Sequence, residues 1–179
     1  EKAVTMDVKT PGDLVYALGL TKNELGGSEF YLMNGEVGRN VPEVDIERNV
    51  LLYNALSSAM QEELVRSAHG CYKGGLGVTL AQKAFAGGYG MDVHIDRVPV
   101  GGNLGIEQLL YSESAGRFVV TISPEHRERF EEVMGTNPYN CIGTVRGDGG
   151  FSVYKGGHDI LQEDIGTLKE SWQAPFRGM

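Results

Sequence analysis

The run Leu14-Val15-Tyr16-Ala17-Leu18-Gly19-Leu20 leads closely into Leu25-Gly26-Gly27-Ser28-Glu29. A short apolar, β-prone run that ends in a polar glycine loop reads as a buried strand carrying its loop to the edge of a sheet. Mixed α and β proteins commonly build their sites at such places. The paired glycines let the backbone approach a ligand or another chain segment closely. Ser28 and Glu29 then offer a hydroxyl and a carboxylate. Two further loops of the same character follow, Lys73-Gly74-Gly75 and Ser112-Glu113-Ser114.

Outward from this stretch the chain reads as alternating elements. Residues 4–7 and 13–20 are expected as strands joined by a turn at Pro11-Gly12. A short helix is expected over 29–33. Asp45 can cap a long helix running to about residue 67, with Val50, Tyr53, Leu56, Met60 and Leu64 at helical spacing and Glu62, Glu63 and Arg66 on its solvated side. A second helix is expected over 76–85, ended by Gly87-Gly88. Residues 91–96 alternate, with Met91, Val93 and Ile95 on one face, and read as a half-buried strand. A short helix over 103–111, a strand over 117–123 and a charged helix from Pro124 to about Met134 come next. Residues 140–146 and 151–154 are expected as a hairpin around Gly147-Asp148-Gly149-Gly150. A helix over 165–172 closes the series. This order implies an α+β fold with α/β character: one mixed sheet flanked by helices, with antiparallel pairing excluding a purely parallel, doubly wound sheet.

The length of 179 residues fits a single domain over 1–179 with a substantial core. Apolar runs are far too short to span a bilayer, and no signal peptide is read at the start. A net charge of −8 argues against a nucleic-acid surface. It leaves room for phosphate, since glycine-loop N–H groups bind phosphate without many lysines. The 26 glycines are about twice the usual share of roughly 7%; they fall singly or in pairs between periodic segments, which marks tight turns and not a low-complexity linker. Cys71 and Cys141 lack CxxC partners, so a zinc site is not expected, and two separated thiols suit a reducing, cytoplasmic setting.

No GxGxxG, GxxxxGK[ST], GxSxG or HExxH occurs. His69, His94, His126 and His158 are scattered over different elements and read as structural or surface side chains. His69 stands out because it precedes a glycine loop, and Cys71 beside it reads as a buried, inert thiol. Lys73-Gly74-Gly75 opens a helix whose N–H groups can cradle a phosphate or carboxylate, with Lys73 adding charge; a plain turn is the alternative. Ser112, Glu113 and Arg117 join a helix to a strand. Arg117 could fork onto a sugar phosphate, or Glu113 and Arg117 could pair and stiffen the loop.

The three loops in order resemble a known family. The segments Glu24-Leu25-Gly26-Gly27-Ser28-Glu29, Gly74-Gly75-Leu76-Gly77-Val78-Thr79-Leu80-Ala81 and Ser112-Glu113-Ser114-Ala115-Gly116-Arg117-Phe118-Val119-Val120 are similar to the last C-terminal domain of the phosphoribosylformylglycinamidine synthase synthetase subunit. That domain is of the C-terminal type of the aminoimidazole ribonucleotide synthetase superfamily. Pro11 to Tyr16 and the ending Leu168-Lys169-Glu170-Ser171-Trp172 fit as well. The resemblance implies a partly ferredoxin-like sheet within a purine-biosynthesis ligase. That enzyme makes formylglycinamidine ribonucleotide from formylglycinamide ribonucleotide, glutamine and ATP. It implies ATP and Mg²⁺ as cofactors of the whole enzyme, with neither bound tightly by the isolated domain. The implied partners are the remaining synthetase domains, a glutaminase subunit or domain and a small ribonucleotide, with no nucleic acid and no membrane.

By position, Gly26, Gly27, Ser28 and Glu29 would form one wall of a substrate or nucleotide crevice. Gly74 and Gly75 would form a second wall, and Ser112, Glu113 and Arg117 a third; Lys73, just before the second, is expected as a further binding residue. No catalytic residue and no metal ligand is assigned to this chain. The family pattern His-Asp-x-Ser-Asp-Gly-Gly is replaced by His69-Gly70-Cys71-Tyr72-Lys73-Gly74-Gly75, so both acids are missing and Lys73 stands where one could have held Mg²⁺. Any metal role here is expected to be lost while anion binding persists. The chain is expected to lack the N-terminal ATP-binding-type partner domains and to be inactive alone. A non-catalytic scaffold with a degenerate site is the alternative, or a domain of a relative such as selenophosphate synthetase or thiamine monophosphate kinase.

Overall fold

The computed structural model describes residues 3–177. Seven strands form one sheet: β1 (Leu14–Leu18), β2 (Val65–Gly70), β3 (Met91–His94), β4 (Phe118–Ile122), β5 (Tyr139–Val145), β6 (Gly150–Lys155) and β7 (His158–Asp164). Six helices cover it: α1 (Glu29–Met33), α2 (Ile46–Gln61), α3 (Gly75–Gly87), α4 (Ile106–Tyr111), α5 (Arg127–Met134) and α6 (Ile165–Gln173). The strand order is β2-β4-β1-β5-β3-β6-β7, and every neighbouring pair is antiparallel except β3 with β6. The expected mixed sheet flanked by helices is therefore present.

Strand β1 explains the layering. Side chains alternate across a sheet. Val15 and Ala17 therefore join one core with Leu76 and Leu80 of α3 and Leu109 of α4. Tyr16 and Leu18 join the opposite core with Leu52 and Leu56 of α2 and Phe130 of α5. With both faces covered, β1 reads as a continuous apolar run in the sequence.

Four expectations are corrected. Residues 4–7 form no strand. They touch the outer edge of β2 through one backbone hydrogen bond, from the Ala68 N–H to the Thr5 oxygen (3.0 Å), and otherwise rest on the Lys83 side chain. The long helix ends at Gln61, because Glu63 takes a left-handed φ of 60° and the chain turns out into β2. No glycine marks that stop, so β2 is hidden inside an apparently continuous helical pattern. The stripe is shifted too: Leu52, Leu56 and Ala59 are buried, while Val50 and Tyr53 face outward.

The hairpin of residues 140–154 does not exist, because β3 lies between β5 and β6. The Gly147–Gly150 loop instead reaches over the end of β3, where the Gly90 N–H donates to the Asp148 oxygen and the Arg146 N–H to the Gly90 oxygen. The local hairpin is β6–β7, turning at Gly156-Gly157 with φ of 57° and 81°, and β7 was not anticipated.

Candidate functional site

Three loops converge because three strand ends are level. Leu18, Phe118 and Gly70 are cross-strand partners in β1, β4 and β2. β4 runs antiparallel to both neighbours, so the chain leaving β1, the chain leaving β2 and the chain entering β4 emerge from one edge of the sheet. The loop before α1, the loop before α3 and the loop after α4 thus meet although they lie far apart in sequence.

Hydrogen bonds fasten them together. The Lys22 N–H donates to Ser114 Oγ (3.1 Å) and the Glu24 N–H to Ser112 Oγ (3.3 Å). The Glu113 N–H answers to the Glu24 oxygen. Gly75, at φ 66°, lets α3 begin directly against the third loop; a Cβ there would sit 2.6 Å from the Ser112 oxygen. Glu113 is the hub. Its Oε1 accepts from the Gly74 N–H (2.8 Å) and from the Glu29 N–H (3.0 Å). The Lys73 ammonium sits 2.6 Å from Glu29 Oε1, and that bond, with the charges of Glu29 and Glu113, raises the Lys73 pKa.

The ten residues singled out in the sequence take different places in the structure. Lys73, Glu113 and Arg117 line a cleft of about 380 Å³. Glu29 and Gly74 line a neighbouring apolar hollow of about 300 Å³ with Phe30, Val78 and Tyr111. The rings of Phe30 and Tyr111 stack there at 4.9 Å. Ser28, Ser112 and Gly75 are buried. Ser28 caps α1, accepting from the Tyr31 N–H and donating to the Leu25 oxygen. Gly26 and Gly27 turn away from the cleft, donating to the Asn40 and Val37 oxygens.

Arg117 is buried, and its guanidinium donates to the Ser114 oxygen (3.0 Å), Thr21 Oγ1 (2.9 Å) and the Ser112 oxygen. Burial lowers its pKa, and Cys71, Glu24 and Glu113 oppose that shift. The guanidinium thus holds its own loop. The alternative reading of this loop, a Glu113–Arg117 ion pair, is not formed among the described residues.

The cleft also has an aromatic side that the motifs did not disclose: Tyr53, Tyr72 and Phe118, with Tyr53 and Phe118 edge to face at 5.4 Å. Tyr72, adjacent to Lys73 in sequence, was the readable signal. Cys71 lines the cleft floor, and burial raises its thiol pKa, which keeps it protonated and unreactive. His69 hydrogen-bonds Gln82 Oε1 at 2.8 Å. The donor set does not suit a divalent cation. Glu29 already faces an ammonium, Glu113 already accepts two N–H bonds, and among the described residues no three His, Cys, Asp or Glu side chains cluster. Among the described residues no helix is long and apolar enough to cross a membrane.

Over residues 10–156 the chain matches the family described as AIR synthase related protein, C-terminal domain. Phosphoribosylformylglycinamidine synthase subunit PurL of Alkaliphilus metalliredigens is 36% identical over 179 residues, covering 98% of this chain and 23% of its own length. The PurL of Thermococcus sibiricus is 38% identical over 145 residues, covering 81% and 20%. The chain thus spans about a fifth to a quarter of the length of these curated relatives. Among solved structures, Thermotoga maritima PurL complexed with FGAR superposes with a TM-score of 0.81 at 22% identity, over 92% of this chain and 29% of that one. The HypE–HypF complex gives a TM-score of 0.67 at 16% identity, over 90% and 55%. At these identities the structural likeness is one of fold.

Proposed function

We propose that this chain, which belongs to the AIR synthase related protein C-terminal domain family, serves as the C-terminal-type domain of a phosphoribosylformylglycinamidine synthase. The reaction is the ATP-dependent conversion of formylglycinamide ribonucleotide and glutamine to formylglycinamidine ribonucleotide, in the cytoplasm. The observation that carries this reading is the match to a subunit named for that enzyme along 98% of the chain. The domain supplies crevice loops to a larger synthetase and does not complete the chemistry alone. Lys73 is its accessible cation at the cleft and the group we assign to an anionic ribonucleotide. ATP and Mg²⁺ are handled by the remaining domains, since the acids of this cleft are engaged internally.

A surface feature supports membership of a larger assembly. Leu32 and Met33 of α1, Val37 and Val44 of the following segment, and Ile46 and Leu51 of α2 are all well exposed, Met33 at 86%. Apolar side chains concentrated in one stretch mark a surface that another protein covers. Here we assign it to the remaining synthetase domains, with a glutaminase as a further partner of the assembly.

The test is reconstitution. The pure chain should make no amidine from ATP, glutamine and substrate, and adding the remaining synthetase domains should restore turnover. Turnover by the pure chain overturns the reading. In the restored enzyme, Lys73→Ala should lower kcat/KM without loss of stability, because its ion pair with Glu29 is exposed and contributes little. A second reading, a scaffold with a degenerate site, is favoured by the internal commitments of Ser28, Glu113 and Arg117. It requires that Lys73→Ala leave kcat/KM unchanged.

A further inference from the structure

Away from the cleft, Lys83 of α3 is fully buried. Its Nζ donates to the Met6 carbonyl oxygen at 2.8 Å and to Ser67 Oγ at 2.7 Å. Ser67 Oγ in turn shares a 2.6 Å hydrogen bond with Thr121 Oγ1, so one small polar chain ties α3 to β2 and β4. An ammonium has three N–H groups to satisfy and a neutral amine has two. Among the described residues Lys83 makes two hydrogen bonds, both to uncharged oxygens.

Among the described residues, the surrounding charges do not supply a counter-ion. Asp7 and Lys9 face the amine from the N-terminal segment, but Asp7 is already paired with Lys9 at 2.6 Å. Cys71, beyond the end of β2, is a thiol kept protonated by burial. α3 carries no other charged residue. Burial is accordingly the dominant influence and pushes the amine down to about 7.

The cover over this amine is the segment 3–8, the same stretch that fails to form a strand. It is held by the bond from Lys83, by the Ala68 N–H to the Thr5 oxygen (3.0 Å), and by the Val8 N–H to the Lys83 carbonyl oxygen (3.3 Å). Val8 is itself buried, against Gly87.

We propose that residues 3–8 form a proton-linked clasp: the neutral amine of Lys83 holds the segment closed, and opening the segment takes up a proton at that amine. Opening returns Lys83 to water, where an amine titrates near 10.4, roughly. Between about pH 7 and pH 10 the open form therefore binds one more proton than the closed form. Each unit fall in pH within that window makes opening up to about tenfold easier. Below about pH 7 both forms are protonated and the dependence ends. The clasp tightens as the medium becomes alkaline, and it does so on a segment anchored to the elements whose ends form the cleft.

Amide hydrogen exchange on the full chain tests this between pH 7 and 9, read at the Val8 and Ala68 amides. Chemical exchange of a free amide accelerates about tenfold per pH unit over that range. In the wild type the falling opening equilibrium should offset it, leaving nearly flat observed rates. In Lys83→Met the rates should climb about tenfold per unit. Climbing rates in the wild type, or flat rates in both proteins, overturn the proposal. Should Lys83→Met fail to fold, direct NMR titration of the Lys83 Nζ in the wild type decides. A midpoint near 7 supports the clasp, and one at or above 10 overturns it.

Discussion

Glu113 shows how a residue recognised in the sequence can do a different job in the fold. The Gly74-Gly75 loop reads as an anion cradle, and in the structure an anion is present: the Glu113 carboxylate, bonded to the Gly74 and Glu29 N–H groups. No spacing rule could show this, because the donors lie 39 and 84 residues from the acceptor. The Lys73–Glu29 pair was hidden for the same reason. What was readable was the character of each loop, since glycines, serines and single charges mark tight, polar turns. What was not readable was which polar groups the other two loops would consume. Glu113→Ala removes an acceptor shared by two backbone donors and should destabilise the chain by ~1–3 kcal/mol in urea titration. Glu113→Gln keeps an oxygen and should recover part of that loss. If Glu113→Ala matches the wild type, the carboxylate is not the fastening of the three loops. Gly75→Ala should cost more than either, since it combines a left-handed backbone with a Cβ pressed on the Ser112 oxygen.

At the scale of elements, legibility followed the presence of punctuation. α3 was found because Gly74 and Gly88 bracket it, both in left-handed conformations. The start of α2 was found because Asp45 is a capping residue, and its side chain does accept from the Arg48 N–H at 3.0 Å. The end of α2 was missed because Glu63, not a glycine, makes the turn. The β5–β6 hairpin was a sound local inference defeated by β3, whose insertion depends on pairing far along the chain. Two measurements follow from these local devices. Asp45→Ala should lower stability by ~1 kcal/mol through loss of the cap, seen as a lower urea midpoint with unchanged slope. Gly156→Asn should do the opposite. Both residues of the β6–β7 turn have positive φ, a type favouring Asn-Gly, and a Cβ at Gly156 meets nothing within 4 Å. A gain of roughly 0.5 kcal/mol is expected, from an unfolded chain with less freedom to lose. A loss would mean the turn is not of that type.

At the scale of the whole molecule, two buried groups on the α3 side of the sheet set opposing responses to pH. Lys83 has its pKa lowered to about 7 by burial. Above that value the folded state holds fewer protons than the unfolded chain, so this contribution rises by at most ~1.4 kcal/mol per pH unit until the free amine value is reached. Cys71 has its pKa raised, also by burial. The folded state then keeps a proton that the unfolded chain gives up above about pH 8.5, so this contribution falls with further rise in pH. Together they should make stability climb from pH 7 to about 8.5 and level off beyond it. The variants separate the two arms. Lys83→Met should abolish the climb and leave stability declining above about pH 8.5, while Cys71→Ala should let the climb continue toward pH 10. Urea titrations of the three proteins at pH 7, 8, 9 and 9.5 are sufficient. A wild-type curve flat from pH 7 to 8.5 with an unchanged Lys83→Met curve would show that Lys83 is charged in the folded core. Its ammonium would then need a third acceptor that neither Met6 nor Ser67 provides.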